Sequence, residues 1–103
     1  EALNPLAWML ATQTDSKLRD GNEAFRLATQ ANQLTGGTNV NVLDTLAAAC
    51  AEVGNYTEAR RTAQSALESA HAAGRTNLAT QIEARLRCYE AGQPFHTNSA
   101  TNL

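Results

Sequence analysis

Aromatic residues make up only 5% of this 103-residue chain, although 43% of it is hydrophobic, so alanine carries much of the apolar share. Closely packed helices are therefore expected rather than a β-sandwich, whose facing sheets need bulkier side chains to fill the space between them. An excess of either charge is also missing. Eight Lys and Arg stand against ten Asp and Glu, for a net charge of −2, and the two signs are interspersed. A nucleic-acid binder is expected to show a basic stripe, and none is visible. No apolar run approaches the roughly 18 residues that can span a bilayer. Residues 1–13 lack the basic, apolar and small-residue succession of a signal peptide.

Metal and catalytic patterns are missing as well. Cys50, Cys88, His71 and His96 stand at no recognisable ligand spacing, so no metal or other cofactor is expected. Cys50 reads as a small hydrophobe in a helix core, with a Cys50–Cys88 disulfide as the alternative. There is no Ser/His/Asp set, no glycine-rich phosphate loop and no paired carboxylate in an evident cleft. Cys50–His71 is the one nucleophile–base pair that can be drawn. Cys50 falls on a core stripe, whereas a nucleophilic cysteine needs a partly exposed, electropositive setting. No enzymatic activity is expected. Arg60, Arg61, Glu68, Arg85 and Arg87 read as solvated helix faces.

What is present is helical periodicity, organised around residues 42–70. Leu43, Leu46, Ala47 and Cys50 recur at i, i+3, i+4 and i+7, on one face of a helix. Gly54 can take positive φ past its end. Asn55, with Glu58 three residues on, forms a capping-box pattern for a helix from about residue 56 to 73, whose stripe is Tyr56, Ala59, Ala63, Ala66 and Leu67. Small residues at 47, 59, 63 and 66 allow two helix axes to approach closely.

The same pattern occurs earlier. Leu3, Leu6, Ala7 and Leu10 match Leu43, Leu46, Ala47 and Cys50 at an offset of 40, and Ala24, Ala28 and Ala31 match Ala59, Ala63 and Ala66 at an offset of 35. The two offsets agree if the first hairpin's turn carries five extra residues, which fall in the polar stretch 14–20, where a loop tolerates them. Asn4 is a competent N-cap, with Pro5 in the first turn, and Asp20 with Glu23 caps the second helix, which runs to about Leu34. A fifth helix over residues 76–91 carries a narrow stripe of Leu78, Ile82, Leu86 and Tyr89, and Gly92 and Pro94 stop it. Residues 93–103 are expected to be a disordered tail.

Leu43, Leu46, Ala47, Gly54, Tyr56, Ala59 and Ala66 stand where tetratricopeptide (TPR) repeats keep their packing residues, and a period near 34 is that family's signature. The chain resembles the C-terminal end of a bacterial TPR array, through Leu6–Thr12, Leu18–Ala28, Leu43–Ala59 and Ala91–Phe95. It departs from the family where a proline often closes the repeat: Gly36 and His71 stand there. The resemblance implies an all-α, TPR-like superhelix over residues 1–92, with hairpins over about 3–35 and 40–73 and a capping helix over 76–91. It implies a protein-interaction module that binds a peptide or helix in a concave groove lined by the first helix of each hairpin. The lining residues would be Asn4, Trp8, Ala11 and Thr12, then Asn41, Asp44, Ala48, Ala51 and Glu52. The lysine, asparagine and arginine clamp of chaperone-tail binders is missing, because Asn4, Trp8, Asp44 and Ala48 occupy those places. A groove with two carboxylates and no fixed positive charge would prefer a neutral or basic protein segment, with no nucleic-acid or membrane partner. The alternative is a structural end-cap of a longer array, or a self-associating unit forming a homodimer through its first helix. Trp8 is then either a binding anchor or a packing residue.

Overall fold

The helix stops and starts fall where local chemistry puts them. The computed structural model describes residues 3–97, and these form α1 (Leu3–Thr12), α2 (Gly21–Leu34), α3 (Val40–Glu52), α4 (Tyr56–Ala72) and α5 (Thr76–Glu90), with no strand among the described residues. The all-α class is as expected. Asp20 Oδ1 accepts the Glu23 N–H at 3.1 Å, Asn39 Oδ1 that of Val42 at 3.1 Å, and Asn55 Oδ1 that of Glu58 at 3.2 Å. Each satisfies an N–H that the first helical turn leaves unpaired. The reciprocal half of the capping box gives way to ion pairs. Glu23 turns to Arg26 and Glu58 to Arg61, each three residues ahead. The expectation that Asn4 caps α1 is overturned: α1 is already helical at Leu3, so Asn4 stands inside its first turn. Gly54 closes α3 with φ +88°, a conformation that costs a residue with a Cβ.

Neighbouring helices run antiparallel. Leu43 near the start of α3 shares a cluster with Ala66 and Ala70 near the end of α4, whereas Cys50 and Ala51 at the end of α3 meet Ala59 and Ala63 at the start of α4. The same crossing recurs between α4 and α5, where Ala70 meets Ala79 and Ile82 while Ala59 and Ala63 meet Leu86 and Tyr89. α1 packs on both α2 and α3. Among the described residues, fourteen of the twenty-one buried hydrophobic side chains are alanine, so backbones rather than long side chains meet at these contacts. Gly21, the first residue of α2, is the extreme case. A Cβ there would lie 2.9 Å from Glu52 Cγ and 3.2 Å from Val53 Cγ1, against the end of α3.

The connection between α1 and α2 has eight residues where that between α3 and α4 has three, which places the five-residue difference in the first turn. α1 ends without a glycine to fold its last carbonyls inward, and this longer loop supplies donors instead. The Asp20 N–H bonds to Leu10 O at 2.8 Å, and the Arg19 guanidinium bonds to Gln13 O at 2.8 Å and Thr14 O at 3.0 Å. Arg19 also pairs with Glu52 at 2.9 Å, tying the loop to the end of α3.

Residues 93–97 correct the expectation of a disordered tail, whose remainder, 98–103, lies outside the described residues. Gly92 and Gln93 donate to Tyr89 O and Cys88 O at 3.0 and 2.9 Å, a glycine-centred stop that turns the chain sharply back. The segment then returns to the end of α1, where the Thr97 N–H meets Thr12 O at 2.7 Å.

Candidate functional site

α1, α3 and α5 together border a cleft of about 350 Å³. Its lining includes Asn4 and Trp8 from α1, Asn41 and Asp44 from α3, and Gln81 and Arg85 from α5. Four of the nine residues selected from sequence thus meet at one place. The other five do not. Thr12 and Ala48 are 1% exposed, and so cannot line a groove; neither can Ala11 and Ala51, also buried. Ala48 packs with Ala7 and Ala11 in the seam between α1 and α3. The small side chains that let these helices touch are consumed by that contact. Glu52 lies away from the cleft, at the end of α3, between Arg19 and His96.

Arg85 is the residue that sequence reading missed. It was expected on a solvated face, yet its side chain is only 14% exposed and pairs with Asp44, which is 9% exposed. The groove therefore does contain a fixed positive charge. The Arg85 guanidinium also lies 4.7 Å from the centre of the Trp8 ring and 5.0 Å from that of Phe95, within the range at which an aromatic face attracts a cation. The two rings stand 5.9 Å apart and are tilted by 37°, within the separation at which aromatic pairs attract. Trp8 is half-buried, with the Phe95 ring of the segment after α5 against it. A signal for Arg85 was available: it lies seven residues after Leu78, two turns along the same helix face.

No protein-family model, curated protein or solved structure matches the chain.

Burial governs the titration of the site. The Asp44 carboxyl is pushed up to about 6 by loss of water, only partly countered by Arg85. Outside the cleft, the Cys50 thiol is pushed up to about 11, first by burial and then by Glu58. A thiol held so far from its thiolate is a poor nucleophile, and Cys50 sits between alanines of α3 and α4. Both cysteines are free thiols, and Cys88 is only half-buried. In the folded protein a maleimide should therefore modify Cys88 first, with Cys50 protected until urea unfolds the chain. Native labelling of Cys50 ahead of Cys88 would contradict its place in the core.

Proposed function

We propose that the protein is a non-catalytic protein-interaction module, a TPR-like stack of two helix hairpins closed by a capping helix, whose groove takes a segment of a partner protein. Support for the repeat comes from burial. The alanines matched at the two offsets are buried alike, Ala7 with Ala47, Ala24 with Ala59, Ala28 with Ala63, and Ala31 with Ala66, whereas Leu3, Leu6 and Leu10 are more exposed than Leu43, Leu46 and Cys50. The observation that carries the function is the cleft itself, which combines one large aromatic face with carboxamides and an internally neutralised ion pair. The Asn4 carboxamide lines the cleft, and its Oδ1, shielded from solvent, takes no hydrogen bond from the protein. Because Asp44 and Glu52 each already face a cation, the favoured segment is neutral or basic, and not one whose binding depends on strong positive charge. Neither a cofactor, nor nucleic acid, nor a membrane enters this reading.

The test is to select peptides from a random display library against the full chain and map them by amide shift changes. Binders should perturb Asn41, Asp44, Leu78 and Gln81. Asn41→Arg, at an exposed position, should weaken them at least about tenfold, the loss of roughly 1.4 kcal/mol. Binders that map elsewhere, or that ignore Asn41→Arg, would refute the groove.

A second reading, a unit that stacks through α1, is favoured by one specific contrast. Ala49 is fully buried against α2 and Leu46 is half-buried between the hairpins, whereas their counterparts Met9 and Leu6 are each 42% exposed. Under this reading the chain self-associates in sedimentation runs, and Leu6→Ser with Met9→Ser abolishes the association. A monomer at millimolar concentration would dismiss it.

A further inference from the structure

The segment 93–97 crosses from the end of α5 to the end of α1, and three successive residues are held by three different partners. Phe95 packs on Trp8 beneath the Arg85 guanidinium. The His96 Nε2–H donates to Glu52 Oε1 at 2.8 Å. At Thr97 the N–H and hydroxyl both donate to Thr12 O, at 2.7 and 3.0 Å, and its carbonyl accepts from the Thr14 hydroxyl. The segment lies outside any helix, and Thr12 O is one of the carbonyls that the end of α1 leaves unpaired inside the helix. Side-chain contacts together with backbone bonds are how a groove holds a peptide. Here the peptide is the protein's own.

We propose that residues 93–97 are a built-in occupant of the surface that adjoins the cleft at Trp8 and Arg85, and that a partner segment reaching from the cleft onto this surface shares their chemistry: free of carboxylates, with an aromatic ring for Trp8 and Arg85 and a hydrogen-bond donor for Glu52. This rests on the groove reading above and specifies the partner for it. Nothing in the three seats requires the occupant to be covalently attached, since each is formed by α1, α3, α5 or the loop after α1. Attachment gives the resident segment a high effective concentration. A competing segment therefore binds with an affinity reduced by the fraction of molecules in which the seats are open. Trp8 and Arg85 line the cleft and also hold Phe95, so a partner that displaces the segment would extend its contact from the cleft towards the Glu52 carboxylate and the Thr12 backbone carbonyl.

Trp8 is the single tryptophan of the chain, so its emission reports on this seat alone. The experiment compares the full-length protein with Phe95→Ala, using acrylamide quenching of Trp8 and, as probe, the blocked peptide Ala-Gly-Gln-Pro-Phe-His-Thr corresponding to residues 91–97. Phe95→Ala should shift emission to the red and at least double the quenching constant. The peptide should reverse both changes saturably, and its apparent affinity for the unmodified protein should be at least about tenfold weaker. The same peptide with alanine for phenylalanine should have no effect. Thr97→Pro removes the N–H that reaches Thr12 O without touching the ring, and should produce the same exposure of Trp8 should Phe95→Ala fail to fold. Unchanged quenching in both variants would overturn the resident segment and leave the groove reading standing. Exposed Trp8 that the peptide fails to cover would overturn the shared chemistry. The groove reading itself falls on the separate selection experiment, if peptides selected on the unmodified protein map elsewhere or ignore Asn41→Arg.

Discussion

Leucine at position 59 or 63 should lower the urea midpoint of unfolding strongly, while leucine at position 72 should leave it nearly unchanged. Ala59 and Ala63 are 0% and 1% exposed. They lie on the face of α4 that meets Cys50 and Ala51 of α3 on one side and Leu86 and Tyr89 of α5 on the other. A leucine adds three heavy atoms where both neighbours already touch the Cβ. Room can come only from moving a helix axis, and overpacking of this kind costs about 1–3 kcal/mol. Squeezed from two sides, these positions should fall at the upper end, a large share of the roughly 5–15 kcal/mol that holds a domain folded. Ala72, the last residue of α4, is exposed and supplies the control. Equal midpoints for the three variants would mean that the α3–α4–α5 seam is not close-packed.

Arg85→Met should cost about 3 kcal/mol at pH 8, because it strands the Asp44 carboxylate in a place with little water to solvate it. The loss should shrink on acidification, and the sign follows from linkage. The folded-state pKa of Asp44 is raised to about 6 by burial, above its unfolded value near 4. Its favourable contribution is therefore fully present below about pH 4 and is lost as pH rises through about 6. Removing Arg85 removes the one influence that pulls that pKa back down, so the variant's window extends further upward. The gap between the two proteins should be widest at pH 8 and smallest near pH 4.5. Adding Asp44→Asn to Arg85→Met should recover much of the loss at pH 8, since a neutral carboxamide replaces the stranded charge. An equal gap at both pH values, or a double variant no more stable than Arg85→Met, would show that the pair is not desolvated.

The behaviour of these two sites in sequence explains what could be read there. Ala59 and Ala63 were legible because their neighbours are local: periodicity on α4 and the cap at Asn55 fix which face points inward, and the adjacent helices arrive through short turns. The same holds for the helix ends at Asp20, Gly54 and Gly92, and for the five extra residues after α1. Arg85 and Phe95 depend on contacts that no period encodes. Asp44 is 41 residues from Arg85, and Trp8 is farther still from Phe95. Polarity assigned Arg85 to solvent and low apolar content assigned residues 93–97 to disorder, yet a guanidinium can be buried against a carboxylate and two rings, and one phenylalanine beside a proline suffices when backbone bonds do the rest. The groove list erred at Ala48 and Thr12 because helix spacing decides whether a small residue faces a cleft or a neighbouring backbone, and spacing is a property of pairs of helices.

Under the proposed repeat reading, helices that touch mainly their chain neighbours approach a one-dimensional system, able to fray from either end while the remainder stays folded. The bond between Thr97 and Thr12 spans 85 positions and joins the opening helix to the chain beyond the closing one. It turns the line into a loop. Neither end is then terminal in the mechanical sense: fraying α1 breaks the seat of Thr97, and fraying α5 withdraws Phe95 from Trp8. Amides of α1 and α5 should accordingly exchange with deuterium at matched rates, and Thr97→Pro should uncouple them, letting one helix open while the other stays protected.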